Sequence, residues 1–143
     1  SLIGIYEYFE GLYNHHFEDK ELTILEKIKK INNIISEHEE YIGNPILNYI
    51  DNRNDLKLIG KNKINNKDRA PTISFTSKNK SSKEIANFLV ENNIATRNDN
   101  FYAWRCLESL GINTEDGVVR LSMTHYNNIN DTDKIIETLK KIN

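Results

Sequence analysis

The sequence has a single cysteine among its 143 residues, only two prolines and six glycines, and no long apolar run. One cysteine, Cys106, excludes an internal disulfide and a cysteine-based metal site, so we expect a reducing, cytoplasmic setting. No stretch approaches the roughly 20 apolar residues that a membrane-spanning helix needs. The first residues also lack the basic region of a signal peptide, so we expect no membrane partner.

Neither sign of charge dominates. Nineteen Lys and Arg stand against 21 Asp and Glu, and the formal net charge is −2. A dedicated nucleic-acid-binding protein carries a clear basic excess, so we expect no nucleic-acid partner. The composition, with 38% hydrophobic and 28% charged residues, is typical of a folded domain with a core of modest size.

The first third of the chain is predicted to be helical. Apolar residues recur at helical spacing over residues 2–13, and a longer apolar stripe runs over residues 22–42. The sequence Gly-Asn-Pro at residues 43–45 interrupts this stripe. Its Asn can cap a new helix with Pro in the first turn, or its Pro can kink one continuous helix. We therefore assign residues 1–52 to a helical segment.

Residues 53–143 change character and are typical of a small α/β domain. Four short strand patterns alternate with three helix patterns. The strands are predicted at residues 56–59, 70–76, 94–97 and 117–123, and the helices at residues 82–92, 100–110 and 131–142. Ser81 and Glu84 have the spacing of a capping box, and Gly111 stands where a left-handed residue ends a helix. The predicted fold class is α/β (α+β), with long N-terminal helices followed by a small four-stranded mixed sheet covered by helices.

Two stretches of sequence are more specific than any periodicity. Residues 93–111 read Asn-Ile-Ala-Thr-Arg-Asn-Asp-Asn-Phe-Tyr-Ala-Trp-Arg-Cys-Leu-Glu-Ser-Leu-Gly, and residues 116–127 read Asp-Gly-Val-Val-Arg-Leu-Ser-Met-Thr-His-Tyr-Asn. Residues 69–75, Arg-Ala-Pro-Thr-Ile-Ser-Phe, precede them. Taken together and in chain order, the three stretches resemble the end of cysteine desulfurase-like proteins of the class V aminotransferase family. The resemblance covers nearly the whole chain.

The resemblance implies a PLP-dependent enzyme of fold type I, in which a large domain holds PLP on a lysine and a small C-terminal domain helps to close the site. Residues 1–52 would link the two domains, and residues 53–143 would form the small domain. The implied partners are the large PLP-binding domain of the same protein, an amino-acid substrate and a second copy in a homodimer. PLP is expected in the full-length parent and not on this chain, whose lysines lack the surroundings of a Schiff-base site.

Arg120 is the leading candidate for a functional residue. It lies in a strand pattern on the face opposite Val119 and Leu121, where an arginine needs an anionic partner or solvent. The resemblance implies that Arg120 binds the α-carboxylate of the substrate, to which a guanidinium can donate two parallel N–H bonds. The alternative is a structural ion pair with an internal Asp or Glu. The resemblance also implies a substrate-binding role for Arg97, for which the alternative is an exposed arginine at a strand end.

No catalytic, cofactor-binding or metal-binding residue is predicted. Cys106 falls inside a helix pattern, so we expect a small buried hydrophobe rather than a nucleophile. Where the resembling family carries its catalytic cysteine, residues 100–102 of this chain read Asn-Phe-Tyr. After the Arg120 strand, Tyr126 is expected to pack at the strand end and Asn127 to turn the chain.

The leading hypothesis is a fragment of a PLP-dependent cysteine desulfurase-like protein or class V aminotransferase that acts on an amino acid. The parent would be a transferase or lyase that removes sulfur from cysteine, transaminates or catalyses another elimination. This fragment would supply the substrate-carboxylate arginine but not the PLP lysine, and alone it is expected to be inactive. Without its large domain it should expose apolar surface along residues 2–13. The alternative is a non-catalytic, stand-alone α/β binding or regulatory module, which a fold alone does not exclude.

Overall fold

The computed structural model describes residues 2–19, 21–65 and 68–142. Within them the chain forms five helices and four strands. In chain order these are α1 (Leu2–His16), α2 (Ile24–Asp51), β1 (Leu56–Ile59), β2 (Thr72–Ser77), α3 (Ser82–Glu91), β3 (Arg97–Asp99), α4 (Trp104–Ser109), β4 (Val118–Ser122) and α5 (Ile129–Leu139). The chain divides into two compact units, Ser1–His38 and Glu39–Asn143. None of the helices in the described ranges combines the length and apolarity that crossing a bilayer requires.

The first unit contains α1 and the first half of α2. Tyr13 is its buried centre, and the ring stacks on Phe17 with 4.9 Å between centroids. The amine of Lys27 lies 5.3 Å from the centroid of the Tyr13 ring and pairs with Glu10 at 3.3 Å. The outer side of α1 remains apolar and exposed, as expected from the sequence: Leu2 is 85% exposed, and Ile3, Ile5, Tyr6 and Tyr8 are exposed as well.

The second half of α2 continues through Pro45, so the Gly-Asn-Pro sequence does not start a new helix. Asn44 does not cap a helix end and instead binds the loop after β1. Its Nδ2 donates to the carbonyl of Ile64 at 3.2 Å, and its Oδ1 accepts from the amide of Ile64 at 2.7 Å. A Cβ on Gly43 would lie 2.2 Å from Cδ1 of Ile64. The sequence Gly-Asn-Pro is therefore a docking point for Ile64.

The four strands form one sheet in the order β1-β2-β4-β3. The predicted α/β fold class, with a small sheet and helices, is confirmed. The sheet, however, is antiparallel in all three pairings rather than mixed. The strands β2 and β3 are joined through α3 and run in the same direction. Because β4 lies between them and pairs antiparallel with both, no parallel ladder forms.

The core lies on one face of this sheet. Buried apolar side chains from alternate positions of β2 and β4 pack with those of α2, α3 and α5. The fully buried members include Ile46, Leu47, Ile50, Ile73, Phe75, Ile85, Leu89 and Val119. Since successive residues of a strand point to opposite faces, the other face carries Thr72, Ser74 and Thr76 on β2 and Arg120 and Ser122 on β4. This polar face is where the candidate residues lie.

The element boundaries match the predictions at the caps and differ around β3. Ser81 and Glu84 form the predicted capping box at the start of α3, with Ser81 N donating to Glu84 Oε2 at 2.8 Å. The strand predicted at residues 94–97 instead begins at Arg97, because only residues 97–99 pair with β4. The helix predicted from residue 100 begins at Trp104, since the two residues after Asn100 have left-handed φ angles that no α-helix accepts.

Arg53 ties the end of α2 to the end of the chain. Its Nε and Nη2 donate to the two carboxylate oxygens of Asp55 at 2.6 and 2.5 Å, and its Nη1 donates to the hydroxyl of Tyr49 at 2.8 Å. The same guanidinium donates to the carbonyls of Leu139 and Ile142 at 3.3 and 2.9 Å. The hydrogen bonds from Arg53 lower the pKa of Asp55 below its ordinary value, and Asp55 in turn raises the pKa of Arg53.

We predict that Arg53→Met lowers the free energy of unfolding by about 2 kcal/mol, because the half-buried carboxylate and two carbonyls lose charge-assisted hydrogen bonds. The folded-state pKa of Asp55 is depressed, so its contribution is present above the unfolded pKa of about 4 and is lost as pH falls through the lower folded value. Urea unfolding at neutral pH and at about pH 3 measures both effects, and Asp55→Asn should flatten this part of the pH dependence. Lys140→Met, which removes an exposed ion pair with Glu137, is the control; an equal loss in both variants would contradict the prediction.

Candidate functional site

The two predicted arginines lie side by side on the polar face of the sheet. Arg120, at the centre of β4, is the register partner of Ser74 on β2 and of Arg97 on β3. Directly opposed residues of an antiparallel pair project from the same face. The neighbouring Asn98 projects to the other face, where its amide donates to the hydroxyl of Ser82 on α3 at 3.1 Å. Arg97 and Arg120 therefore share the face opposite the core.

This arrangement places two arginines directly opposite each other, with Asp99, two residues after Arg97 on β3, on the same face. Among residues 2–19, 21–65 and 68–142, neither Arg97 nor Arg120 enters an ion pair. The structural ion pair considered as the alternative for Arg120 is therefore not found in the described part of the chain. Like charges directly opposite each other on neighbouring strands are destabilising. An anion bound between the two guanidinium groups would relieve that repulsion.

A hollow of about 460 Å³ opens beside the two arginines. Its lining residues are Val90, Ala95, Thr96, Arg97, Arg120 and Ser122. The hydroxyl of Thr96 donates to the carbonyl of Arg120 at 2.8 Å and thereby ties the segment before β3 to the middle of β4. The volume suits a small organic ligand, and the hollow is open to solvent on one side.

An aromatic ring covers the guanidinium of Arg120. The Cζ atom of Arg120 lies 3.7 Å from the centroid of the Phe101 ring, which is contact distance for stacking. Phe101 was missed as a site residue in the sequence because residues 100–110 were predicted as one helix. The available signal was Asn100, a residue that favours turns over helix interiors.

The turn that carries Phe101 has an uncommon backbone. Phe101 and the following Tyr102 both adopt left-handed φ angles, 52° and 59°. For residues other than glycine this conformation costs about 1 kcal/mol each. Asn100 holds the turn: its Oδ1 accepts from the amide of Tyr102 at 3.0 Å, and its carbonyl accepts from the amide of Ala103 at 2.9 Å.

Gly117 lets this turn lie against the start of β4. It has a φ of 70°, and a Cβ there would lie 2.3 Å from the carbonyl carbon of Asp99 and 2.8 Å from the amide nitrogen of Asn100. No side chain fits in that space. The close approach of two backbone segments thus depends on a glycine at this position.

The exposure of Cys106 differs from the prediction made from the sequence. It was expected to be buried, but its side chain is an exposed free thiol. The helix α4 has only six residues and buries only Leu107, so the neighbouring position faces solvent. Cys106 is not among the residues that line the described hollow.

For the segment after β4, the structure agrees with one of the two expectations drawn from the sequence. Asn127 turns the chain as expected: its Oδ1 accepts from the amide of Thr124 at 2.9 Å, and its Nδ2 donates to Asp131 at 3.2 Å. The expectation that Tyr126 packs at the strand end is wrong, since its side chain is 76% exposed and contacts His125 edge to face. The turn at Asn127 directs that ring into solvent. Hydrogen bonds from Asn128 and Asn127 lower the pKa of Asp131.

The lysines that the structure describes differ in burial. Of the lysines that the structure describes, only Lys27 is buried, and its amine pairs with Glu10. A Schiff base requires a desolvated amine that is held against the aldehyde of the cofactor. In the same ranges no group of three or more His, Cys, Asp and Glu could hold a metal ion.

Comparison with known proteins identifies related sequences. The family model described as aminotransferase class-V matches residues 20–135. The aminotransferase-like protein FGM3 of Gibberella zeae is 28% identical over 109 residues, which are 76% of this chain and 27% of that protein. The chain thus spans about a quarter of the length of this relative.

Solved structures of cysteine desulfurases share the fold. The enzyme from Thermococcus onnurineus NA1 gives a TM-score of 0.67 at 21% identity, over 83% of this chain and 29% of that one. The cysteine desulfurase CsdA of Escherichia coli gives 0.62 at 17% identity, over 74% and 24%. The NifS-like protein of Rickettsia africae ESF-5 gives 0.58 at 21% identity, over 83% and 32%. At these identities the likeness is one of fold.

We predict that Gly117→Ala lowers the free energy of unfolding by about 2 kcal/mol or more, because its Cβ would meet the backbone of the Asp99–Asn100 segment. Gly111→Ala is the matched control, since Gly111 has a similar φ of 67° but nothing within 4 Å of its Cβ position. It should cost about 1 kcal/mol. Urea unfolding of both variants measures the difference, and equal losses would show that the close approach is unimportant.

Proposed function

The chain belongs to the class V aminotransferase family, and on that premise we propose that it forms the C-terminal small domain of a PLP-dependent enzyme acting on an amino acid. Residues 53–143 would be the small domain, and residues 1–52 would connect it to the large domain. The chain spans 24–32% of the solved structures named above, which supports the proposal that the catalytic activity belongs to a longer parent protein.

The observation that carries the proposal is the pair of opposed arginines, neither of which forms an ion pair within the described ranges. Arg120 would bind the α-carboxylate of the amino-acid substrate through two parallel N–H bonds, which match the geometry of a carboxylate. Arg97, its register partner, would add a second positive charge beside the same group. The hollow that both residues line supports this assignment, because it has room for a small ligand on the same face.

Binding by Arg120 would orient the substrate rather than transform it. A carboxylate held in a bidentate contact cannot rotate freely, so the bonds around the α-carbon are presented in one direction. The parent's reaction would be sulfur removal from cysteine, transamination or another elimination. Because residues 100–102 hold Asn-Phe-Tyr and Cys106 does not line the hollow, the chain favours the reactions that use no protein thiolate.

We assign PLP, the electron sink of this family's chemistry, and its lysine to the large domain of the parent. The ion pair of Lys27 with Glu10 supports that assignment. The exposed apolar side of α1 supports a partner surface, which we assign to the large domain of the same protein. A homodimer and a cytoplasmic location complete the proposal; the exposed thiol of Cys106 is consistent with a reducing compartment.

We predict that Arg120→Ala weakens the binding of small carboxylates by roughly 30-fold or more, because it removes a charge-assisted bidentate contact. An NMR titration of the 143-residue chain with acetate measures the loss, and steady-state kinetics of the full-length parent should show a raised Michaelis constant for its amino-acid substrate. Arg120→Lys should restore only part of the affinity, since an ammonium lacks the planar fork. Arg105→Ala, on the exposed side of α4, is the control, and an unchanged acetate affinity in Arg120→Ala would remove Arg120 from its assigned role.

We further predict that the 143-residue chain alone does not turn over L-cysteine when PLP is supplied. The physical reason is that its buried lysine is held in an ion pair and its other described lysines lie outside the core. Absorbance spectra with and without borohydride reduction report whether any lysine forms a Schiff base in a protein pocket. Turnover, or stoichiometric labelling of one lysine, would contradict the assignment of PLP to the large domain.

A further inference from the structure

We propose that Phe101 is a positioning residue for Arg120. Its ring covers one face of the guanidinium and fixes the plane in which Arg120 offers its N–H groups to an anion. This inference rests on the proposed role of Arg120 in carboxylate binding and extends it to a residue outside the predicted site.

The contact itself is close. The 3.7 Å between Arg120 Cζ and the Phe101 ring centroid contrasts with 5.8 Å for Arg53 and Tyr49, the other arginine and ring pair described. At 3.7 Å the guanidinium carbon is in van der Waals contact with the ring face. The N–H groups of a guanidinium point outward in its plane, so a ring against one face leaves them available for a ligand.

Arg120 has few other restraints. No carboxylate of the described ranges forms an ion pair with its guanidinium, although Asp99 lies diagonally across on the same face, and its register partner on β3 is the like-charged Arg97. Its partner on β2, Ser74, is short. A free arginine side chain loses rotamer entropy when a ligand fixes it. A ring that holds the guanidinium beforehand removes part of that cost from binding.

The backbone supports a specific role for the ring. Two consecutive left-handed residues, Phe101 and Tyr102, are unfavourable, and such strain persists where surrounding structure imposes it. Tyr102 gains no burial in return, since its side chain is fully exposed. Phe101 is half-buried over Arg120. The hydrogen bonds of Asn100 and the absence of a side chain at Gly117 therefore serve to hold one ring over one guanidinium.

The test compares variants that separate the ring from the backbone. Phe101→Tyr keeps the ring. Phe101→Asn removes it but favours the same left-handed conformation, and Phe101→Leu keeps apolar bulk without an aromatic face. Each variant of the 143-residue chain is titrated with acetate by NMR, and the Nε–Hε resonance of Arg120 is recorded, because a ring at stacking distance shifts it and slows its motion.

We expect Phe101→Tyr to bind acetate within about twofold of the wild type, and Phe101→Asn and Phe101→Leu to bind it about tenfold more weakly. In the latter two the Arg120 Nε–Hε resonance should move to the position of an exposed arginine. Urea unfolding identifies any variant that loses its fold. If Phe101→Asn is unfolded, the acetate affinity and the Arg120 resonance of Phe101→Leu provide the test.

The outcomes distinguish the two proposals. Phe101→Asn or Phe101→Leu chains that keep both the acetate affinity and the Arg120 resonance of the wild type would overturn the positioning role while leaving Arg120 as the anion ligand. An Arg120→Ala chain that keeps the wild-type acetate affinity would instead overturn the proposed function. A ring effect on the resonance without any effect on affinity would show that Phe101 packs on Arg120 without positioning it for an anion.

Discussion

The alternation of side chains along β4, the strand between β2 and β3, is the constraint on which the rest of the second unit depends. Val119 and Leu121 point into the core beneath α2, α3 and α5, so Arg120 must point the other way. A shift of register by one residue would bury the arginine and expose the two apolar side chains. Burial of Val119 and Leu121 on one face of β4 thus keeps Arg120 on the other face. The position of Arg120 in the site is therefore set by the packing of the core.

Two features of the polar face lower the stability of the fold, and contacts elsewhere compensate for them. Two arginines oppose each other, and the turn at residues 100–103 contains two left-handed residues, so both features weaken the isolated fold. The Arg53 hydrogen bonds, the capping boxes of α3 and α5 and the hydrophobic core of the second unit offset these costs at a distance from the site. The hollow beside the two arginines is open to solvent.

Much of this fold could be predicted from local sequence. The alternation in β2, the capping box of Ser81 and Glu84 and the glycine after α4 are signals that act within a few residues, and each was found where expected. The family was indicated by colinear motifs rather than by any single residue. The errors lie where long-range contacts override local preference. The stretch after Asn100 has helical spacing but forms a turn against Gly117, and Cys106 lies on the exposed side of α4 because the neighbouring Leu107 takes the buried position.

The sequence by itself determined the order of the elements and the face of β4 on which Arg120 lies, because periodicity and capping are encoded in neighbouring residues, and its colinear motifs indicated the family. Only the tertiary structure decided that β4 enters between β2 and β3, that Arg97 stands opposite Arg120 and that Phe101 covers the guanidinium. Those three facts depend on the pairing of segments about 20 residues or more apart, and no local pattern of apolar residues specifies which strand edges meet.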